Sequence, residues 1–331
     1  MLSLVLTVAA LGAVDEFLRR HYAESLGLNR WGYRGSVVGP KERGERRVVV
    51  AGGSTTFGFG VSTRESFPAY LARRVAALRP PGAPVTVVNL GYPKEGAWSL
   101  RFTLDDYAYL HYDVAVIYEG YNDLRRLNTQ AFRHDSPVFR ATGYLPILPL
   151  VLSEKARAIR YGGDLGERFG REDPVFRPAL ADKAASGALK AAGEVARGLE
   201  HVLGPLTRDR PTPGIMTSGD GTCAEGFGPY CEAVRVAVEV ALAHGARVLV
   251  VSQPYISDTH VRQQANLAAM LRERYGRDPR VAYLDLGPAI DLRDRTIAWD
   301  GMHLTPPGNA VIAERLVEPV LRLLDARAPK P

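Results

Sequence analysis

The chain is poor in cysteine. It has two in 331 residues, Cys223 and Cys231, eight apart in one irregular stretch. No histidine lies near them in sequence, so spacing gives no metal site there. The pair can close a small disulfide loop if the chain reaches an oxidising compartment; otherwise both are free thiols. Membrane-spanning apolar runs are absent at the N-terminus. Leu2 to Val14 is mostly apolar but stops at Asp15 and Glu16, short of the roughly 20 residues that a straight span needs. No basic block interleaved with aromatics occurs; the net charge of +6 is spread along the chain. Nucleic acid is therefore not an expected partner. Phosphate signatures are missing as well. The glycines of "AGGSTTFGFG" (51–60) are not followed by a P-loop lysine, and G-x-G-x-x-G spacing fails after this stretch. There is no internal repeat.

What is present is an ordinary globular balance, 46% hydrophobic and 24% charged, which excludes disorder as a description of the whole chain. The N-terminal run has the length of a signal-peptide core and lacks the basic flank before it. "DEFLRRHYAESLGL" then reads as an amphipathic helix with Arg19, Arg20 and His21 on its polar side. Residues 1–25 are expected to be an export signal or membrane tether. The expected location is extracytoplasmic, secreted or tethered, with the cytoplasm as the alternative.

Short apolar strands then alternate with amphipathic helices. "RRVVVAGG", "APVTVVNLG", "DVAVIYEG", "ARVLVVSQP" and "RVAYLDL" read as strands. Helical spacing is found in "SFPAYLARRVAAL", "SLRFTLDDYAYL", "YCEAVRVAVEVALAHG", "VRQQANLAAMLRERYG" and "TPPGNAVIAERLVEPVLRLLDA". The pattern predicts a doubly wound α/β fold around a five-stranded parallel sheet. Ligands in such folds sit outside the carboxyl ends of the strands. From about 125 to 228 the rhythm breaks. That is far longer than a normal connection and reads as an insertion or cap near the site, with an Ala-rich helical pattern from Ala179 to Leu203.

The strand ends carry the chemistry. Ser54 follows the first strand and its two glycines. A serine hydroxyl is a weak nucleophile unless a base takes its proton and a third group orients that base. It also needs donors aimed at the developing oxyanion. Gly91 lies beyond the second strand, where a backbone N–H can approach a substrate unobstructed by a Cβ. Asn122 lies beyond the third with a side-chain amide to donate. "WDGMHLTPPGNA" puts Asp300 and His303 three apart before the last helix. Taken singly, each is as well read as a cap, a turn former or a surface loop residue. Tyr118, Glu119 and Tyr121, and Ser252 to Tyr255, are candidate pocket residues or loop packing. Arg125, Arg126 and His134 are candidates for an acidic substrate or a solvated charged face.

Together the blocks "GGST" (52–55), "NLG" (89–91), "GYND" (120–123) and "DGMH" (300–303) resemble the SGNH, or GDSL-type, serine hydrolase superfamily. The resemblance covers roughly residues 46–125 and 230–325. "LNRWGYRG" (28–35) looks like the lead-in of its membrane-anchored bacterial members. The resemblance implies a flavodoxin-like three-layer α/β/α domain over 26–331, with the insertion after the third strand, and no metal or organic cofactor. It implies Ser54, Asp300 and His303 as the catalytic residues, and Ser54, Gly91 and Asn122 as the oxyanion hole. The aspartate that the family usually carries before its serine is Gly53 here. The expected activity is hydrolysis of short acyl esters, O-acetyl groups foremost, through an acyl-enzyme on Ser54, with a small-molecule or glycan ester as substrate. The alternatives are an O-acyltransferase acting on a cell-envelope polysaccharide, and a silent glycan-binding or assembly protein. Oligomeric state leaves no signature.

Overall fold

The computed structural model describes residues 2–80, 82–152, 223 and 226–326. Its strands are β1 (Arg46–Gly52), β2 (Val85–Asn89), β3 (Val114–Tyr118), β4 (Arg247–Val251) and β5 (Val281–Leu284). Its helices are α1 (Leu2–His21), α2 (Ser54–Phe57), α3 (Phe67–Leu78), α4 (Ala97–Asp106), α5 (Pro137–Thr142), α6 (Gly228–Ala243), α7 (Asp258–Tyr275) and α8 (Pro306–Asp325). The strands pair in parallel in the order β2-β1-β3-β4-β5. The chain moves from β1 outward to β2, crosses back to β3 and continues to β5. The direction of winding reverses between β1 and β3, which is where such folds open a crevice.

The apolar runs form strands because both faces are covered. Val48 and Val50 of β1 face a core shared with Phe67, Leu71, Leu316 and Val320, under α3 and α8. Val49 and Ala51 face the opposite core with Leu100, Val234 and Ala237, under α4 and α6. All four β1 residues are fully buried. The result is the expected three-layer α/β/α sandwich. Helix α8 shows why its sequence folds as it does. Thr305 Oγ1 accepts from the Gly308 N–H at 3.3 Å, two prolines open the first turn, and Ile312, Leu316, Val320 and Leu323 form a buried stripe at helical spacing. The second expected helix is shorter than its spacing predicts. It stops at Asp106, because Tyr107 turns into the core and His111 adopts a φ of 50°.

Helix α1 departs from its amphipathic reading. Arg19 is not on a solvated face: it donates to the carbonyls of Leu28 (3.1 Å), Asn29 (2.6 Å) and Leu145 (2.6 Å) and pairs with Asp15 at 2.8 Å. Buried Asp15 accepts the N–H groups of Ile147 (2.7 Å) and Leu148 (2.9 Å). Arg20 does reach solvent, beside Glu16. Toward its start the helix exposes Leu6, Val8 and Val14, and Phe17 lies open further along. Among the described residues no helix is long and apolar enough to cross a membrane. The chain after β3 continues through α5 to residue 152. The Ala-rich pattern from Ala179 to Leu203 lies outside the described residues. Cys223 and Cys231 are joined by a disulfide, their Cα atoms 6.4 Å apart.

Candidate active site

Ser54 opens the single turn α2 directly after β1. The turn closes when the Phe57 N–H reaches the Gly53 carbonyl at 2.9 Å and the Gly58 N–H reaches that of Ser54 at 3.0 Å. The partly buried hydroxyl stands at the carboxyl end of the sheet. The loop before α8 comes to meet it. His303 Nε2 lies 2.9 Å from Ser54 Oγ, and His303 Nδ1 lies 2.6 Å from Asp300 Oδ2. The other Asp300 oxygen accepts the N–H groups of Met302 (2.9 Å) and His303 (2.6 Å), which fixes the carboxylate within its own turn. Burial alone would raise the Asp300 carboxyl. The His303 ring and these two N–H groups outweigh it and hold the group below the usual carboxylate range. Trp299 stacks on the imidazole at 5.4 Å between centroids, and Phe59 packs beside both rings, 5.2 Å from His303 and 6.4 Å from Trp299. A hydroxyl, an imidazole and a buried anionic carboxylate in line are the parts needed to activate a serine.

Gly91 and Asn122 come to the same end of the sheet. Gly91 is pressed onto α2 so closely that a Cβ there would lie 2.3 Å from the Phe57 nitrogen. Its N–H donates to Asn89 Oδ1 at 2.9 Å. The Asn122 amide donates to the Glu95 carbonyl at 2.7 Å and lies 3.5 Å from Glu119 Oε1. The Gly91 and Asn122 hydrogens expected to receive an oxyanion thus already have acceptors within the protein.

Around these loops runs a buried polar layer, of which Arg133 is the member that motif reading missed. Arg133 donates to the Leu90 carbonyl (2.8 Å) and to Glu95 Oε2 (2.7 Å), and its guanidinium lies over the rings of Tyr92 and Tyr107. It therefore braces the residue before Gly91 and the residue that holds Asn122. Gln253 accepts the Tyr121 N–H and donates to Thr55 Oγ1, each at 2.9 Å, linking the β3 and β4 loops to α2. Asp123 accepts the N–H groups of Ala97 and Asn128, yet burial pushes its carboxyl up to about 6. The other sequence candidates have structural places. Tyr118 is core, packed on Phe67; Tyr121 donates its hydroxyl to the Pro254 carbonyl. Tyr255 and Ser252 both reach Asp285. Arg125 and Arg126 are exposed, and His134 pairs with Asp106 at 3.1 Å and stacks on Phe102. Among the described residues no group of three or more His, Cys, Asp or Glu side chains could hold a metal ion.

The profile of the GDSL-like lipase/acylhydrolase family matches residues 50–311. The chain belongs to this family and is a carboxylic ester hydrolase. Solved structures similar to it include a family 3 carbohydrate esterase from Clostridium thermocellum, 12% identical, covering 85% of this chain and 100% of that one, with a TM-score of 0.45. Another is a catalytic mutant of an acetylxylan esterase from Geobacillus stearothermophilus, 12% identical, covering 85% and 95%, with a TM-score of 0.41. No curated protein matches the chain.

Proposed function

We propose that this hydrolase cleaves short acyl esters, O-acetyl groups on a carbohydrate or other small esters, through an acyl-enzyme on Ser54. The observation that carries the proposal is the unbroken line of contacts from Ser54 Oγ through His303 to Asp300, at 2.9 and 2.6 Å. In the first step Ser54 Oγ bonds to the ester carbonyl carbon while His303 Nε2 takes the hydroxyl proton. Asp300 keeps the other imidazole nitrogen protonated and stabilises the cationic ring. The carbonyl oxygen, now anionic, is received by the N–H groups of Ser54 and Gly91 and by the Asn122 amide. Gly91 and Asn122 exchange their present acceptors for it. Collapse breaks the bond to the alcohol, which leaves with the proton from His303. Water then repeats the sequence on the acyl-enzyme and frees the acid. Losing one oxyanion donor costs about 3 kcal/mol of barrier in comparable sites.

A short acyl group suits the crowding of Phe59 and Trp299 around His303. An extracytoplasmic setting belongs to the same proposal; the Cys223–Cys231 bridge and the exposed apolar side of α1 support it. The test is hydrolysis of p-nitrophenyl acetate, butyrate and octanoate by the full chain, since Asp15 and Arg19 stitch α1 into the domain, beside its Ser54→Ala variant. Saturable turnover that falls at least about a thousandfold in Ser54→Ala, and that is greatest for acetate, is the expected result. Equal rates in the two proteins would refute the acyl-enzyme. Turnover that needs an added sugar acceptor would reassign the site to acyl transfer.

A further inference from the structure

Two side chains stand at the gap left by Gly53, Asn122 and Glu119, and none of the steps above uses Glu119. Glu119 follows β3 directly and is 2% exposed. Its Oε1 accepts the Gly120 N–H at 3.0 Å and lies 3.5 Å from Asn122 Nδ2. A Cβ at residue 53 would sit 2.5 Å from Asn122 Nδ2, 2.9 Å from Glu119 Oε2 and 2.9 Å from the Glu95 carbonyl. Three polar groups from two loops, those after β2 and β3, converge on the space of one missing side chain, immediately before Ser54. The glycine is what lets them meet. A longer side chain at that position would have to displace the Asn122 amide and the Glu119 carboxyl that fill it.

We propose that Glu119 is a positioning residue of this esterase: its carboxyl, seated behind Gly53, holds the Asn122 amide and the Gly53–Ser54 backbone in place for the oxyanion. The inference rests on the function proposed above. Glu119 touches neither substrate nor reacting atoms; it acts through Asn122. Its surroundings define the form in which it acts. The groups facing it are the carboxyls of Asp123 and Glu95 and the phenols of Tyr118, Tyr121 and Tyr230, while Arg133, the nearby cation, is paired with Glu95. Burial and the Asp123 and Glu95 charges push the Glu119 carboxyl well up, against the pull of the Gly120 and Gly53 N–H groups. A neutral acid keeps an acceptor for Asn122 without placing a second negative charge beside the oxyanion.

The experiment compares wild type, Glu119→Gln, Glu119→Ala and Ser54→Ala in two assays. The first is the pH dependence of kcat and KM on p-nitrophenyl acetate. The second is the rate at which an alkyl fluorophosphonate labels Ser54, followed by mass. There Ser54 Oγ bonds to phosphorus, fluoride leaves and His303 takes the proton, so no knowledge of the natural ester is needed. Glu119→Ala is expected to lower kcat and the labelling rate about a hundredfold, with KM little changed. Glu119→Gln, which keeps an acceptor and no charge, is expected to recover at least tenfold of that loss. It should also lack the alkaline fall in rate that ionisation of Glu119 gives the wild type. Wild-type rates in a folded Glu119→Ala protein would overturn the inference. So would an identical alkaline fall in wild type and Glu119→Gln, a readout that stands even where the alanine variant does not fold. A wild type that labels no faster than Ser54→Ala would instead sink the esterase mechanism itself.

Discussion

At the scale of single residues, what is legible in a sequence depends on whether a side chain works near its own strand end. Ser54 stands in a short block beside a predicted strand end, Asp300 and His303 in one just before a predicted helix, and the structure brings the three into line. Arg133 sits in an unremarkable "AFRHD", and its partners are carbonyls and a carboxylate from loops far away in sequence. No local pattern announces such a residue. His260 is another. It is fully buried, and neither ring nitrogen has a hydrogen-bond partner among the described residues. Burial depresses it to about 4. The unfolded chain therefore takes the proton first, near 6.5. Stability from this group is complete above that pH and is lost as pH falls toward 4. Urea unfolding at pH 6.5 and 4.5 is expected to show His260→Leu losing about 2 kcal/mol less than wild type on acidification. Parallel losses would mean that His260 takes its proton as readily in the fold as in the unfolded chain.

At the scale of elements, the strands and helices of the sheet domain were predictable because each is a continuous apolar run or an amphipathic repeat with a clear stop. The segment from 124 to 152 was not, because it is held by polar anchors instead of a periodic face. Arg133 is its firmest anchor on the β2–α4 loop. Removing the guanidinium leaves Glu95 charged, buried and unpaired, a change that costs about 3–5 kcal/mol in comparable sites. Arg133→Ala should lower the free energy of unfolding, measured by urea titration, by that amount. In the surviving folded fraction it should lower kcat more than it raises KM, since both the Gly91 and Asn122 loops lose their brace. A loss of stability with kcat intact would make Arg133 a purely structural residue.

At the scale of the whole molecule, two features join parts that the sheet does not. Helix α1 is fastened by Asp15 and Arg19 to backbone groups of two segments far apart in sequence, 28–29 and 145–148. The Cys223–Cys231 bridge ties the entry of α6 to the chain before it. A loop of this size contributes about 2 kcal/mol by restricting the unfolded chain. Denaturation with and without reductant should reveal that difference in wild type. Cys231→Ser should show the reduced value under both conditions, and a reductant-insensitive wild type would mean that the thiols are free. Composition limited the cysteines to these two readings but could not choose between them, because pairing depends on where α6 begins.

The hydrogen bonds made by Gly91 and Asn122 also bear on selectivity. On their proposed role, these donors already have partners, Asn89 Oδ1 and the Glu95 carbonyl. A neutral ester oxygen is no better an acceptor than either, so it gains little by evicting them. An oxygen carrying full negative charge forms bonds roughly twice as strong and wins the exchange. The incumbents thus act as a threshold filter: they withhold the donors from the ground state and release them at the top of the barrier, where binding accelerates the reaction. Such an enzyme holds simple esters loosely and spends its hydrogen bonds on turnover.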